Sequence, residues 1–184
     1  YCGKSKYLSN LCTLYFLLCT IACMLFSKLT EYFTQIESTT LRNEKTLILS
    51  QILKDSDQDE VDKLIYLALG GLRPAFDRLE FQMADKMILR ALGKTEKEYQ
   101  EIGDIGELAV KTSTKYKVQS TKLSVKDVYT ALEKIASASG AGSQERKVAG
   151  LAKLIAEVNP EGAKYIVRIV SGRLRLGFSD KTVI

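Results

Sequence analysis

The densest set of chemically useful residues is Gly140-Ala141-Gly142-Ser143-Gln144-Glu145-Arg146-Lys147. Glycines let a backbone approach a ligand closely. The helix that the following periodicity predicts offers free N–H groups and the positive end of its dipole. Ser143 and Gln144 add donors, and Arg146 and Lys147 add charge. Such a set suits the phosphates of a nucleic-acid backbone rather than base edges. It is not a nucleotide P-loop, because the Gly-Lys-Ser/Thr ending is absent. Read alone, it is equally the turn that opens an ordinary helix.

A second segment, Gly172-Arg173-Leu174-Arg175-Leu176-Gly177, puts two arginines around a leucine and between two glycines. In an extended piece the arginines share one side and Leu174 faces the other. That arrangement fits sugar and phosphate contacts along a minor groove, or a solvated loop. Thr39, Arg42 and Lys45 form a weaker set, with Arg42 and Lys45 on one helix face. Gly103-Asp104-Ile105-Gly106-Glu107 reads as a turn in which Asp104 caps a helix, a structural role rather than a catalytic one.

Composition narrows the chemistry. The chain has 184 residues, enough for one domain plus an appendage. It contains no histidine, so histidine-based hydrolytic triads are excluded and the commonest metal ligand is missing. Residues 24–110 carry 11 basic and 16 acidic side chains, whereas residues 111–184 carry 14 and 6, so the basic half is the candidate for a polyanionic partner.

The elements that would position these residues read as helices throughout. Periodic apolar positions predict a helix around Leu25, Leu29, Phe33 and Ile36, an interruption at Ser38-Thr39-Thr40, and a second helix over 44–54. The acidic stretch 55–62 reads as the start of a third, stopping at Gly70-Gly71. Further helices are expected over 81–92, 95–102 and 104–112, followed by a loop to Lys122. Ser124 caps a helix to Ser139, Ser143 caps one to Val158, and Pro160 opens one to Val170. A last helix is expected near Asp180. With two prolines and no hairpin signal, the fold class is all-α.

The order repeats. Each half reads helix, polar turn, helix, turn, helix and a Gly-Leu-Arg or Gly-Arg-Leu-Arg stretch; Ile36 lies 99 residues before Ile135, and Lys63 lies 101 before Lys164. Two pseudo-repeated helical lobes are expected, related by a pseudo-two-fold axis that would suit a duplex.

Residues 1–23 stand apart. All four cysteines lie there, and no charge occurs from Leu8 to Phe26. The chain opens on tyrosine, so an over-extended reading frame with Met24 as the start fits best; a signal or membrane segment is the second reading.

Four ordered segments, 36–45, 103–109, 140–147 and 163–177, together resemble the N-terminal DNA-binding domain of ATP-dependent DNA ligases of the archaeal and eukaryotic-replicative type. The resemblance covers residues 24–184 and implies an all-helical domain, truncated before its catalytic domain, that grips nicked double-stranded DNA through the minor groove without sequence specificity. It implies DNA contacts from Gly142, Ser143, Gln144, Arg146, Lys147, Gly172, Arg173, Arg175 and Gly177, with Thr39, Arg42 and Lys45 as a lesser set. No Lys-x-Asp-Gly adenylation motif occurs, so the chain has no expected catalytic residue, metal site or cofactor of its own. ATP and Mg2+ belong to the full-length ligase, whose catalytic domain would act in cis in DNA replication, repair and recombination. A monomer is expected, in the cytoplasm or nucleoid, or in the nucleus of a eukaryote, without a membrane partner. A stand-alone helical nucleic-acid-binding protein and a membrane-anchored helical scaffold are the alternatives.

Overall fold

The structure, a computed structural model, describes residues 23–114 and 122–177. Among them are nine α-helices and no strand: α1 (Phe26–Ser38), α2 (Arg42–Asp55), α3 (Val61–Ala68), α4 (Asp85–Leu92), α5 (Glu96–Ile102), α6 (Ile105–Ser113), α7 (Val125–Ser137), α8 (Ser143–Ala156) and α9 (Pro160–Val170). The all-α expectation holds. None of these helices is long and apolar enough to cross a membrane.

Helix starts follow local chemistry. Thr95 with Glu98 and Ser124 with Asp127 form reciprocal capping boxes at α5 and α7. Asp104 accepts from the Gly106 and Glu107 amides at α6, and Asn159 accepts from Gly162 ahead of Pro160 at α9. Leu29, Phe33 and Ile36 form the buried stripe of α1, and Val125, Val128 and Leu132 that of α7. Each such side chain contributes about 1.5–3 kcal/mol when fully buried. The ring of Tyr165 stands edge-on to Phe33 at 5.3 Å between centroids, joining α9 to α1.

The two lobes, α1–α3 and α7–α9, meet through reciprocal contacts. Leu25 and Ser124 form an antiparallel bridge, in which the Phe26 amide donates to the Leu123 carbonyl and the Val125 amide to the Met24 carbonyl, each at 2.9 Å. The first helix of each lobe packs on the third of the other, α1 on α9 and α7 on α3. The loops after the third helices also approach one another, so that a Cβ added at Gly70 would meet Leu174 Cβ at 3.4 Å. Exchanged pairings of this kind are what a two-fold relation between lobes produces. Helices α4–α6 are inserted between the lobes; α6 packs broadly on α9, and α4 on α8.

Several expected boundaries move. The helix expected over 81–92 begins only at Asp85. Phe81 and Met83 are buried on either side of exposed Gln82, whose φ of 50° lies in the left-handed region, so this stretch is irregular, non-helical backbone laid on the core. The acidic stretch 55–62 does lead into α3, with Glu60 at the N-cap and Asp62 in the first turn, but the Glu60 side chain turns inward as an acceptor for the Met24 amide at 3.0 Å instead of capping the helix. Ser143 is the first residue of α8, not its cap. The helix expected near Asp180 lies outside the described residues, as do residues 1–22 and 115–121.

Candidate nucleic-acid interface

The loop after α9 places Arg173 and Arg175 outward, while Leu174 and Leu176 are 7% and 3% exposed. The alternation expected of 172–177 is present, but the backbone is not a plain extended piece. Arg175 sits in the left-handed region at φ 57°, a conformation that costs a non-glycine residue about 1–2 kcal/mol. The two buried leucines hold it there, and so does Lys45, whose Nζ donates to the Leu176 carbonyl at 2.7 Å. That bond brings the start of α2 in the first lobe against the loop of the second.

Both arginines are oriented by carboxylates. Arg173 Nη1 reaches Asp85 Oδ2 and the Tyr99 hydroxyl, each at 3.1 Å, and Arg175 Nη1 reaches Asp104 Oδ2 at 2.9 Å. Asp104 in turn belongs to an ion network centred on Arg168, which is 4% exposed. Arg168 pairs with Glu37 at 2.9 Å and with Asp104 at 3.3 Å. Lys164 pairs with Glu37 at 3.2 Å and Glu107 at 2.9 Å, and the Tyr165 hydroxyl donates to Glu37 at 2.9 Å. The network therefore joins the end of α1, the start of α6, α9 and the loop bearing Arg175.

Burial raises the Glu37 carboxyl, but hydrogen bonds from Arg168, Tyr165 and Lys164 outweigh it, leaving a net lowering. At Asp104, burial likewise raises the carboxyl while the Glu107 amide, the charge of Arg168 and the Gly106 amide bring it down. Both groups are depressed on folding, so their stabilisation is complete above the unfolded values of about 4 and is lost as pH falls through the folded ones. Asp55, held at about 2 by hydrogen bonds from Lys28 and Tyr32, is among the last to protonate. The thermal midpoint is expected to fall steadily between about pH 4.5 and 2; calorimetry across that range checks it, and a flat profile would contradict the ion network.

The Gly140–Lys147 segment is a tight turn into α8. Gly142, at φ 71°, is the residue before the helix, where a side chain would be strained. Arg146 folds back, its guanidinium donating to the Ala141 carbonyl at 2.8 Å and the Ser139 carbonyl at 2.6 Å. It fixes the turn while remaining exposed. No side chain caps α8, nor the equivalent helix α2. Ser143 and Gln144 thus lie at a helix start whose first amides are not covered by a side-chain cap. Glu145 pairs with Arg90 at the far end of α4 from Asp85. Arg90 and Asp85 are five residues apart, about 7–8 Å of helix rise, so α4 ties both candidate segments together.

Lys147 is withdrawn from the surface: it is 5% exposed, and its Nζ donates to the Phe81 carbonyl at 2.7 Å. It mirrors Lys45, since each second-helix lysine anchors the loop after the other lobe's third helix. Replacing Lys147 with Met is expected to cost about 1–2 kcal/mol of stability by stranding that carbonyl. It should leave any salt dependence of DNA binding unchanged. A salt slope lower by about one would instead place Lys147 on phosphate. Thr39 is half-buried; its hydroxyl bonds Glu44 and accepts from the Leu41 amide at 3.2 Å, so it shapes the link between α1 and α2. Arg42 is exposed at the start of α2.

Sequence reasoning missed Asp85 and Tyr99 as partners of Arg173, and it assigned Asp104 a cap without its arginines. No local signal marks such pairs, because Asp85 and Arg173 are 88 residues apart.

Comparison with known proteins places the chain in a family. The family described as DNA ligase N terminus matches residues 25–184. A probable DNA ligase of Dictyoglomus thermophilum is 43% identical over 169 residues, covering 88% of this chain and 28% of the relative. DNA ligases of Pyrobaculum islandicum and Sulfolobus acidocaldarius are 40% and 37% identical, each over 88% of this chain and 30% of their own length. The chain thus spans about 30% of the length of these relatives. With the family match extending over nearly all the described residues, the chain belongs to the DNA ligase N terminus family.

Proposed function

We propose that this chain binds nicked double-stranded DNA through sugar and phosphate, without sequence specificity, as the DNA-binding part of an ATP-dependent DNA ligase. The observation that carries the reading is the 172–177 loop, which presents Arg173 and Arg175 outward on a fixed backbone beside the start of α2. Arginines on a rigid loop, together with helix starts lacking side-chain caps, suit a regular array of phosphates. The two-fold relation between the lobes suits a duplex, whose strands are themselves two-fold related. The chain contains no Lys-x-Asp-Gly lysine to accept an adenylate, so nick sealing with ATP and Mg2+ in replication, repair or recombination would fall to a catalytic domain in cis. The protein would act as a monomer wherever its DNA lies.

Fluorescence anisotropy on nicked and intact duplex across a salt series tests this. Binding should be similar for unrelated sequences, with log affinity falling linearly as log salt rises. Failure of a folded, helical sample to bind at low salt would overturn the reading.

A further inference from the structure

We infer that Asp104 is a positioning residue for DNA binding, acting through Arg175; the inference rests on the DNA-binding reading above. The two oxygens of Asp104 share Arg168 but otherwise have different partners. Oδ1 accepts the Gly106 and Glu107 amides at 2.8 and 3.0 Å and so starts α6, with Arg168 Nε more distant at 3.4 Å. Oδ2 accepts Arg175 at 2.9 Å and faces Arg168 at 3.3 Å. Arg168 is buried and anchored on Glu37, so Asp104 transmits a fixed interior position to an arginine that is 59% exposed. The side chain of Asp104 is only 16% exposed, which keeps it a support for the arginine rather than part of the outer surface.

The carboxylate orients Arg175 without consuming it. A guanidinium has five N–H donors, and Asp104 takes one, on Nη1. The others remain available to phosphate oxygens. Arg175 also stands in the left-handed region, where glycine would be unstrained. The chain instead carries a long cation at that point and ties it at both levels. The backbone is tied by buried Leu174 and Leu176, and the side chain by Asp104.

Two opposite signs separate this role from plain electrostatics. Asp104→Asn removes a negative charge close to the proposed DNA face. If Asp104 merely opposes DNA, the variant binds more tightly. If Asp104 positions Arg175, the variant binds more weakly. An asparagine keeps its carbonyl on the α6 cap, since Asn caps as well as Asp. Its NH2 then faces two guanidinium donors and accepts from neither, so Arg175 is released while the helix start is kept.

The test is a double-mutant cycle. Wild type, Asp104→Asn, Arg175→Ala and the double variant are measured by anisotropy on nicked duplex across a salt series, with helicity checked by circular dichroism. The expected result is a loss of about three- to tenfold for Asp104→Asn, with a shallower salt slope. In the Arg175→Ala background the same substitution should cause no further loss. Unchanged or tighter binding by helical Asp104→Asn overturns the inference alone, as does an equal loss in both backgrounds. Absence of binding by the wild type overturns the DNA-binding reading and this inference with it.

Discussion

Replacing Arg173 and Arg175 together with alanine is expected to weaken binding to nicked duplex about 10–100-fold near 0.1 M salt, the loss of two charge-assisted contacts whose net worth is about 1 kcal/mol or more each. The logarithmic salt slope should fall by about two, since each arginine removed leaves one phosphate un-neutralised. The loss should be uniform across DNA sequences, because phosphate contacts carry no base information. Both side chains are exposed and neither fills the core, so helicity and thermal midpoint should stay close to wild type. Their partners, Asp85 and Asp104, are left at the surface edge, 35% and 16% exposed, where water can solvate them in part. A double variant that binds as wild type does, with an unchanged slope, would remove 172–177 from the interface and shift attention to Arg42, Ser143 and Gln144.

The largest loss of stability is expected at Arg168. Arg168→Met keeps most of the side-chain volume, so no large cavity confuses the result. It leaves Glu37, Asp104 and Glu107 facing one another with Lys164 and Arg175 as the remaining cations. Removing one partner from a buried ionic network costs about 3–5 kcal/mol; the partial exposure of Glu37 and Glu107 places the expectation near the lower end, about 3 kcal/mol. For a chain of this size that is a fall in thermal midpoint of about 6–12 °C. Gly106→Ala probes the same spot from the other side. In an exposed helix the change would stabilise by about 1 kcal/mol. Here the new Cβ would lie 2.6 Å from Arg168 Nε and 3.0 Å from Asp104 Oδ1, so overpacking wins and a net loss of about 1–3 kcal/mol is expected. Thermal unfolding of both variants checks the pair. A stable Gly106→Ala protein would mean that Arg168 can leave its site freely.

Much of the fold could be read from the amino acids because its signals are local. Pro160, Thr95, Ser124 and Asp104 each start a helix by chemistry contained within four residues, and the structure shows all four in those places. The lobe repeat was visible for a similar reason: the 99-residue offset between Ile36 and Ile135 also relates Phe26 to Val125 and Leu25 to Ser124, the residues that make the reciprocal bridge. What failed was decided over long distances. Phe81 belongs to a stretch that could be helical, but the core takes it as irregular chain with Lys147 on its carbonyl. Glu60 does stand at a helix start, but its carboxylate faces inward to Met24 rather than onto the helix amides. Lys147 and Arg146 looked alike as cations beside a glycine turn, yet one lies inside and the other braces its own loop. Only helix phase, set by where α8 begins, separates them. The arginine loop was recognisable by type, and its carboxylate holders were not, because their pairing depends on how the inserted helices α4–α6 lie on the second lobe.

The exchanged hydrogen bonds at the lobe entries have a consequence for origin. Contacts in which residue i of one unit meets residue j of another, and j meets i, are those of an isologous homodimer. A single α1–α3-like unit, existing as a separate chain, would have buried the same surfaces against a copy of itself. Joining two copies head to tail turns an association that depends on concentration into one that does not. It also frees each copy to diverge: one has Arg173 and Arg175 after its third helix, where the other, counted from Gly71, has Leu72 and Pro74. Helices α4–α6 occupy the segment that joins the two units, outside the exchanged bridge, and add Ile88, Leu89, Ile105 and Leu108 to the common core.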